Sequence, residues 1–250
     1  MAESVAVVTG AAGQIGRVIT DRLSARGDTV VGLDLPSACP PGDSRFIGCD
    51  LTDDAAVQRV MRDILAEHER IDLLVLSAGL SAIGAFDDYD LTVHRRVMDV
   101  THFAAVSVTL AALPGLRRCR GQIVLIGSVA GFAPVLGRPA YVAAKHAVTG
   151  LFTAIGPELG RDGVRVTIVH PTFVGGGMTE VDRAPGVSRA TSGAALTAEQ
   201  VAQAALSGAA ASKPLVLVGR TARLAWTVNR LAPQLYLKLM TRRLRTRETP

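Results

Sequence analysis

At 250 residues, 48% hydrophobic and 20% charged, the chain is long enough for one large α/β domain and too apolar for disorder. Three scattered cysteines, Cys39, Cys49 and Cys119, argue against a disulfide framework and suit a reducing, cytoplasmic compartment. The formal charge of +5 is concentrated in residues 213–250, which hold nine Lys/Arg and one acid, Glu248, while the rest is net acidic; that distribution argues against a nucleic-acid-binding face.

The opening Met1-Ala2-Glu3 runs straight into an apolar segment over 4–9, too short and too acidic at its start for a signal peptide. This segment reads as a first strand, and a helix follows over 14–26. Between them stands Thr9-Gly10-Ala11-Ala12-Gly13-Gln14-Ile15-Gly16. Glycines there let the backbone turn sharply and approach a pyrophosphate, whose charge then meets the helix N-terminus. A second strand over 29–33 ends at Asp34, 18 residues past Gly16. A carboxylate in that place accepts a hydrogen bond from a ribose 2′-OH and repels a 2′-phosphate, and the next basic residue is Arg45. NAD(H) is therefore expected over NADP(H).

A third strand over 45–48 leads to Cys49-Asp50-Leu51. Asp50 suits either an adenine contact or the N-cap region of the next helix, predicted over 53–68. That helix carries Val57, Val60, Met61, Ile64 and Leu65 at three- and four-residue steps, an apolar stripe facing a core. A fourth strand over 71–77 runs into Ser77-Ala78-Gly79, and a long helix is predicted over 90–113. Segment 79–90, with Ile83, Phe86 and Tyr89, is expected to wall a substrate pocket. No uninterrupted apolar run reaches the length of a membrane span.

A fifth strand over 122–127 ends at Ser128, thirteen residues before Tyr141. The helix predicted over 139–160 places Tyr141 and Lys145 one turn apart on one face. An ammonium near a phenol favours the phenolate, and a phenol so placed can exchange a proton with an alcohol or a carbonyl oxygen. A sixth strand over 164–169 precedes His170, whose simplest reading is a structural hydrogen-bonder. The Gly/Pro/Ser/Thr-rich connection 171–196 has the length of a functional lid. A helix over 197–211 and a strand over 215–218 complete the pattern. No His/Cys/Asp/Glu cluster has metal-ligand spacing, so no metal is expected.

Continuous apolar strands alternating with amphipathic helices imply a single-domain, doubly wound (Rossmann) parallel sheet of about seven strands over 1–219. Residues 220–250 read as a basic amphipathic tail, with Leu224, Val228, Leu231, Leu235 and Leu239 on one stripe and Pro233 starting a second helix. Two roles stand open for it: packing on the domain or a neighbouring subunit, or a lipophilic lid or peripheral membrane contact.

The combination of Thr9–Gly16, Asp50, Ser77-Ala78-Gly79, Ser128, Tyr141 with Lys145, and Pro171 with Val174 resembles the short-chain dehydrogenase/reductase family, in its branch of about 250 residues, over residues 4 to about 218. The resemblance implies that Ser128 holds the substrate oxygen and Tyr141 is the acid/base. It gives Lys145 the nicotinamide ribose and makes it the group that favours the Tyr141 phenolate. It further implies a cofactor-binding set of Gly10, Gly13, Gln14, Ile15, Gly16, Asp34, Asp50, Leu51, Ala78, Gly79, Tyr141, Lys145, Pro171 and Val174. A homodimer or homotetramer is implied as well.

The chain departs from the family pattern in places. Gln14 stands where a glycine is usual, with Gly13 one step earlier. Ser77 replaces the second asparagine of Asn-Asn-Ala-Gly, and His170-Pro171-Thr172 replaces Asn-Pro-Gly. Gly176 replaces a threonine, whose contact Thr179 could take over. Thr101 stands for the asparagine of the proton relay and is a fourth candidate catalytic residue; its hydroxyl has a shorter reach. The expected activity is the NAD(H)-dependent interconversion of a hydrophobic secondary alcohol, steroid- or terpenoid-like, and its ketone. The alternatives are a 3-oxoacyl-thioester reductase-like enzyme and a non-catalytic NAD-binding sensor or scaffold.

Overall fold

A computed structural model describes residues 4–175, 180–183 and 195–245. Seven parallel strands form one sheet. They are β1 (Val5–Thr9), β2 (Thr29–Asp34), β3 (Phe46–Gly48), β4 (Leu73–Leu76), β6 (Gln122–Ile126), β7 (Arg165–Pro171) and β9 (Leu215–Val218), in the order β3-β2-β1-β4-β6-β7-β9. The remaining strands, β5 (Ser81–Ile83) and β8 (Glu180–Arg183), pair with each other in parallel.

The strands are apolar on both faces because each face has its own core. Val7, Leu74, Leu76, Ile123 and Leu125 point to one side and pack under helices α2 (Asp54–His68), α4 (Ala104–Cys119) and α5 (Pro139–Gly160). The alternate residues Ala6, Val8, Leu73, Val75, Val124 and Ile126 point to the other, under α1 (Gln14–Ala25) and α6 (Ala198–Ala210). A period of two thus divides every central strand between two buried layers, which is why no polar face interrupts them. Caps fix the helix starts: Asp53 accepts from the Ala56 amide at the start of α2, and Thr197 and Gln200 form a capping box on α6.

The predicted helix over 90–113 is α3 (Leu91–Met98), a π-helical segment (Asp99–Phe103) and α4 in one run. It continues through Pro114 to Cys119, since burial of Gly115 and Leu116 in the core offsets the backbone bond the proline lacks. This 29-residue run is long and apolar enough to cross a membrane by length and composition, but Ala104, Val108, Ala112 and Leu116 bury its inner face in the first core.

Chain order reverses between β1 and β4: β2 and β3 lie on one side of β1, and every later strand of this sheet lies on the other. Ligand crevices open beyond the carboxyl ends of strands at such a point. The C-terminal helices α7 (Arg220–Leu231) and α8 (Pro233–Arg245) fold back over that edge, so residues 220–245 are no free tail. Trp226 packs edge-on against Phe132 with ring centroids 4.8 Å apart, Asn229 Nδ2 donates to the Phe132 carbonyl at 2.7 Å, and Tyr236 is buried.

Candidate active site

The first turn beyond the sheet edge is built by glycine. Gly10 has φ +62°, and a Cβ there would stand 2.8 Å from the Ala78 backbone. A Cβ on Gly16 would stand 2.1 Å from the Gly10 carbonyl oxygen, so both positions admit hydrogen alone. Gly13 precedes α1 and supplies no side-chain cap, and the N-terminal end of the helix faces the crevice, where an anion would meet it. Thr9 ties this turn to β4: its hydroxyl oxygen accepts from the Ser77 and Ala78 amides at 3.1 and 3.3 Å.

Asp34 lies at the carboxyl end of β2, where its Oδ2 accepts from the Ala12 amide and its Oδ1 from the Leu35 amide, both at 2.8 Å. A carboxylate offers about four acceptor sites, so capacity for a ribose hydroxyl remains. Asp50 does not cap α2, a role held by Asp53; it accepts from the Thr52 amide and hydroxyl at 2.9 and 2.7 Å.

At the other end of the crevice Tyr141 and Lys145 are buried on one face of α5. Pro139 starts that helix, its fixed φ being suited to a first turn. Lys145 Nζ donates to the Ile126 carbonyl at 2.8 Å. Burial pushes the Lys145 ammonium below its usual range, a negative charge on Tyr141 opposes this, and the charge of Arg138 reinforces it. The lysine therefore holds its proton best beside a phenolate. The Tyr141 hydroxyl has no hydrogen-bond partner among the described residues, and the residue lines the cavity. Ser128 caps a short 3-10 turn, its Oγ accepting from the Ala130 amide at 3.1 Å, and lines the same cavity.

Behind Ser128, His170 is 1% exposed. Its Nδ1 lies 2.7 Å from the Ser128 carbonyl oxygen and 3.2 Å from the Ser128 amide. Burial lowers its pKa to about 4, opposed by the Ser128 backbone bond, so the ring is neutral and structural. Thr101 lies in the π-helical segment, where an extra residue widens the turn. Its hydroxyl oxygen accepts from the Leu80 amide at 3.1 Å. A Cβ on Gly79 would stand 3.6 Å from both Thr101 Oγ1 and Lys145 Nζ, so the threonine neighbours the lysine across a glycine.

Gly10, Gly13, Gln14, Ile15, Asp34, Asp50, Leu51, Ala78, Gly79, Ser128, Tyr141, Lys145, Pro171 and Val174 all line one cavity of about 1280 Å³. Thr101 and Gly16 stand just outside its wall. Gly176, Thr179 and most of the lid over 171–196 lie outside the described residues, and the lid's base is closed by Val174 pairing with Leu196.

One expectation changes. Ile83, Phe86 and Tyr89 do not line the cavity: Ile83 is buried in the fold, Phe86 is exposed, and the Tyr89 hydroxyl donates to the Ile83 carbonyl. The apolar wall comes instead from α7 and α8, through Leu224, Val228, Leu239 and Met240, together with Val135 and Leu136. Arg138 is a site residue that the sequence reading missed. Its guanidinium sits 4.1 Å above the Tyr141 ring centroid and donates to Ser81 Oγ. Its position three before Tyr141, almost one turn earlier on the same face, was the available signal.

The glycine turn, the uncapped helix and the continuous crevice fit a nicotinamide dinucleotide. The sequence profile of the short chain dehydrogenase family matches residues 4–185. A meso-2,3-butanediol dehydrogenase of Serratia marcescens is 33% identical over 70% of this chain and 73% of its own length. The dehydrogenase/reductase SDR family member 7B of Xenopus laevis is 33% identical over 79% of this chain, which spans only 64% of that relative. The crystal structure of a short-chain dehydrogenase from Streptomyces avermitilis superposes with a TM-score of 0.84 at 26% identity, covering 100% of this chain and 99% of that one. Fold, motif positions and profile agree, and the chain belongs to the short-chain dehydrogenase/reductase family of oxidoreductases.

Proposed function

We propose that this oxidoreductase uses NAD(H) to interconvert a hydrophobic secondary alcohol and its ketone. The observation that carries the reading is the convergence of Ser128, Tyr141 and Lys145 on one cavity that also contains the glycine turn. Bound there, the nicotinamide would accept or return a hydride at the carbinol carbon. In the oxidative direction the Tyr141 phenolate takes the hydroxyl proton as the carbon–hydrogen pair leaves, so the products are a ketone, a reduced cofactor and a protonated tyrosine. Ser128 Oγ orients the substrate oxygen towards Tyr141. Lys145, held on the Ile126 carbonyl, would place its charge behind Tyr141 and hold the ribose of the bound nucleotide.

Three features support NAD(H). Asp34 occupies the position that meets the ribose 2′-OH. None of the cavity residues drawn from 34–52 is basic. Arg17 and Arg45 are engaged with Asp21 and Asp43. The apolar wall from α7 and α8 supports a lipophilic substrate, such as a steroid- or terpenoid-like alcohol.

A Tyr141→Phe enzyme tests the assignment. It should bind NADH with unchanged fluorescence enhancement and lose at least about a hundredfold in turnover on a panel of lipophilic alcohols; retained turnover would remove Tyr141 from the chemistry. A second reading, a nicotinamide-nucleotide sensor without turnover, is favoured by the Thr101 hydroxyl, which is committed to the Leu80 backbone. NAD(H) binding without turnover across alcohols, sugars and acyl thioesters would select it.

A further inference from the structure

Helices α7 and α8 bury one face and leave an apolar one in solvent. The inner face is satisfied by Trp226 on Phe132, Asn229 on the Phe132 carbonyl and buried Tyr236. Outside, Leu224 is 65% exposed, Leu231 80%, Leu235 51% and Leu239 45%. Large apolar side chains exposed together on one helix pair mark a contact surface. The chemistry of the partner is set by the flanking charges. Arg220, Arg223, Arg230 and Lys238 are exposed on the same two helices, and residues 214–247 contain no acid.

We propose that α7 and α8 form a docking surface for an anionic lipid bilayer, with the mouth of the active-site cavity turned towards the lipid. Leucines enter the acyl boundary while arginines and lysine meet the headgroups, as in an interfacial amphipathic helix. A second copy of the chain is a poorer occupant, because a two-fold contact sets two basic, acid-free helix pairs against each other. Nucleic acid would meet leucines where it needs cations. Two of the exposed leucines, Leu224 and Leu239, also line the cavity, so the docked face and the cavity mouth share side chains. That placement lets a lipophilic alcohol pass from the bilayer to Tyr141 without crossing water, a step that rests on the proposed substrate class; the docking itself does not.

Flotation of the full chain with vesicles tests the docking with no substrate present, so it and the alcohol panel can fail separately. The chain should float with phosphatidylcholine vesicles that contain phosphatidylserine, float poorly with phosphatidylcholine alone, and be released by high salt. Arg223→Gln with Lys238→Gln should weaken partitioning about thirtyfold, at about one charge's headgroup attraction each. Leu231→Asp with Leu235→Asp should abolish it while NADH binding is kept. If the leucine pair misfolds, the glutamine pair and the salt titration decide. Absence of wild-type flotation with anionic vesicles, or equal flotation by the glutamine pair, would overturn the proposal. So would a lipid-free dimer that the leucine substitutions dissociate.

Discussion

Replacing His170 by Asn should flatten the acid side of the protein's stability profile. The imidazole is neutral in the fold because burial lowers its pKa from 6.5 to about 4; the Ser128 backbone opposes this and the charges of Lys145 and His146 add to it. Between those two values the unfolded chain binds a proton that the folded chain refuses. The stability gained from holding His170 neutral is therefore complete above pH 6.5 and is lost as pH falls through about 4. Its size is about 0.8 kcal/mol lost at pH 6, about 2 kcal/mol at pH 5 and about 3 kcal/mol once the window is crossed.

His102, also lowered by burial, titrates in the same direction, so the wild-type slope alone is not diagnostic. Asp43, held at about 2 chiefly by its hydrogen bond to Arg45, acts only at lower pH. The diagnostic quantity is the difference between the two proteins. Asn can place a side-chain amide near the position of Nδ1 and cannot titrate, so its cost is a constant offset. Urea unfolding near neutrality and at about pH 5 should show the wild type losing about 2 kcal/mol more than the variant. Parallel profiles would mean that His170 is not held neutral by burial, and the account of the turn behind Ser128 would fall with it.

Other substitutions test the nucleotide end. Gly16→Ala sets a Cβ 2.1 Å from the Gly10 carbonyl oxygen, and a backbone atom cannot step aside as a side-chain end would. The turn must shift, and NADH affinity by fluorescence titration should fall at least about tenfold, with about 1–3 kcal/mol of stability lost; unchanged binding would place the pyrophosphate elsewhere. Asp34→Ala removes the charge that a 2′-phosphate would meet, and the NADP-to-NAD ratio of kcat/KM should rise about a hundredfold. A ratio that stays put would show that Asp34 does not select the cofactor.

The features legible in the sequence were the local ones. Apolar runs, the glycine turn and the Tyr141–Lys145 spacing depend on neighbours within a few residues, and each lies where its pattern indicated. The features that were not legible depend on distant partners. Strands β5 and β8 pair across about a hundred residues, and three- or four-residue strands carry too little periodicity to be read. Ile83, Phe86 and Tyr89 follow Ser77-Ala78-Gly79 closely in sequence, but the Tyr89 bond to Ile83 closes that segment on itself. Which acid caps α2 also depends on geometry: Asp53 reaches the Ala56 amide, and Asp50 is spent on Thr52.

The largest illegible feature joins two departures that look unrelated in sequence. His170 replaces the asparagine of the family's turn, and α7 lies beyond the family match, which ends at residue 185. In space the two meet: the His170 ring stacks on Trp226 at 6.4 Å and stands edge-on to Phe132 at 5.1 Å. The larger side chain thus reaches a helix that an asparagine would not, and the same ring holds the backbone of Ser128. The C-terminal helix is in this way tied to the turn that carries the Ser128 hydroxyl. His170→Asn and Trp226→Ala in a double-mutant cycle should be non-additive in unfolding free energy by about 0.5–1.5 kcal/mol near neutrality. Strict additivity would mean that the aromatic contact carries no energy and that α7 is held by Asn229 and Tyr236 alone.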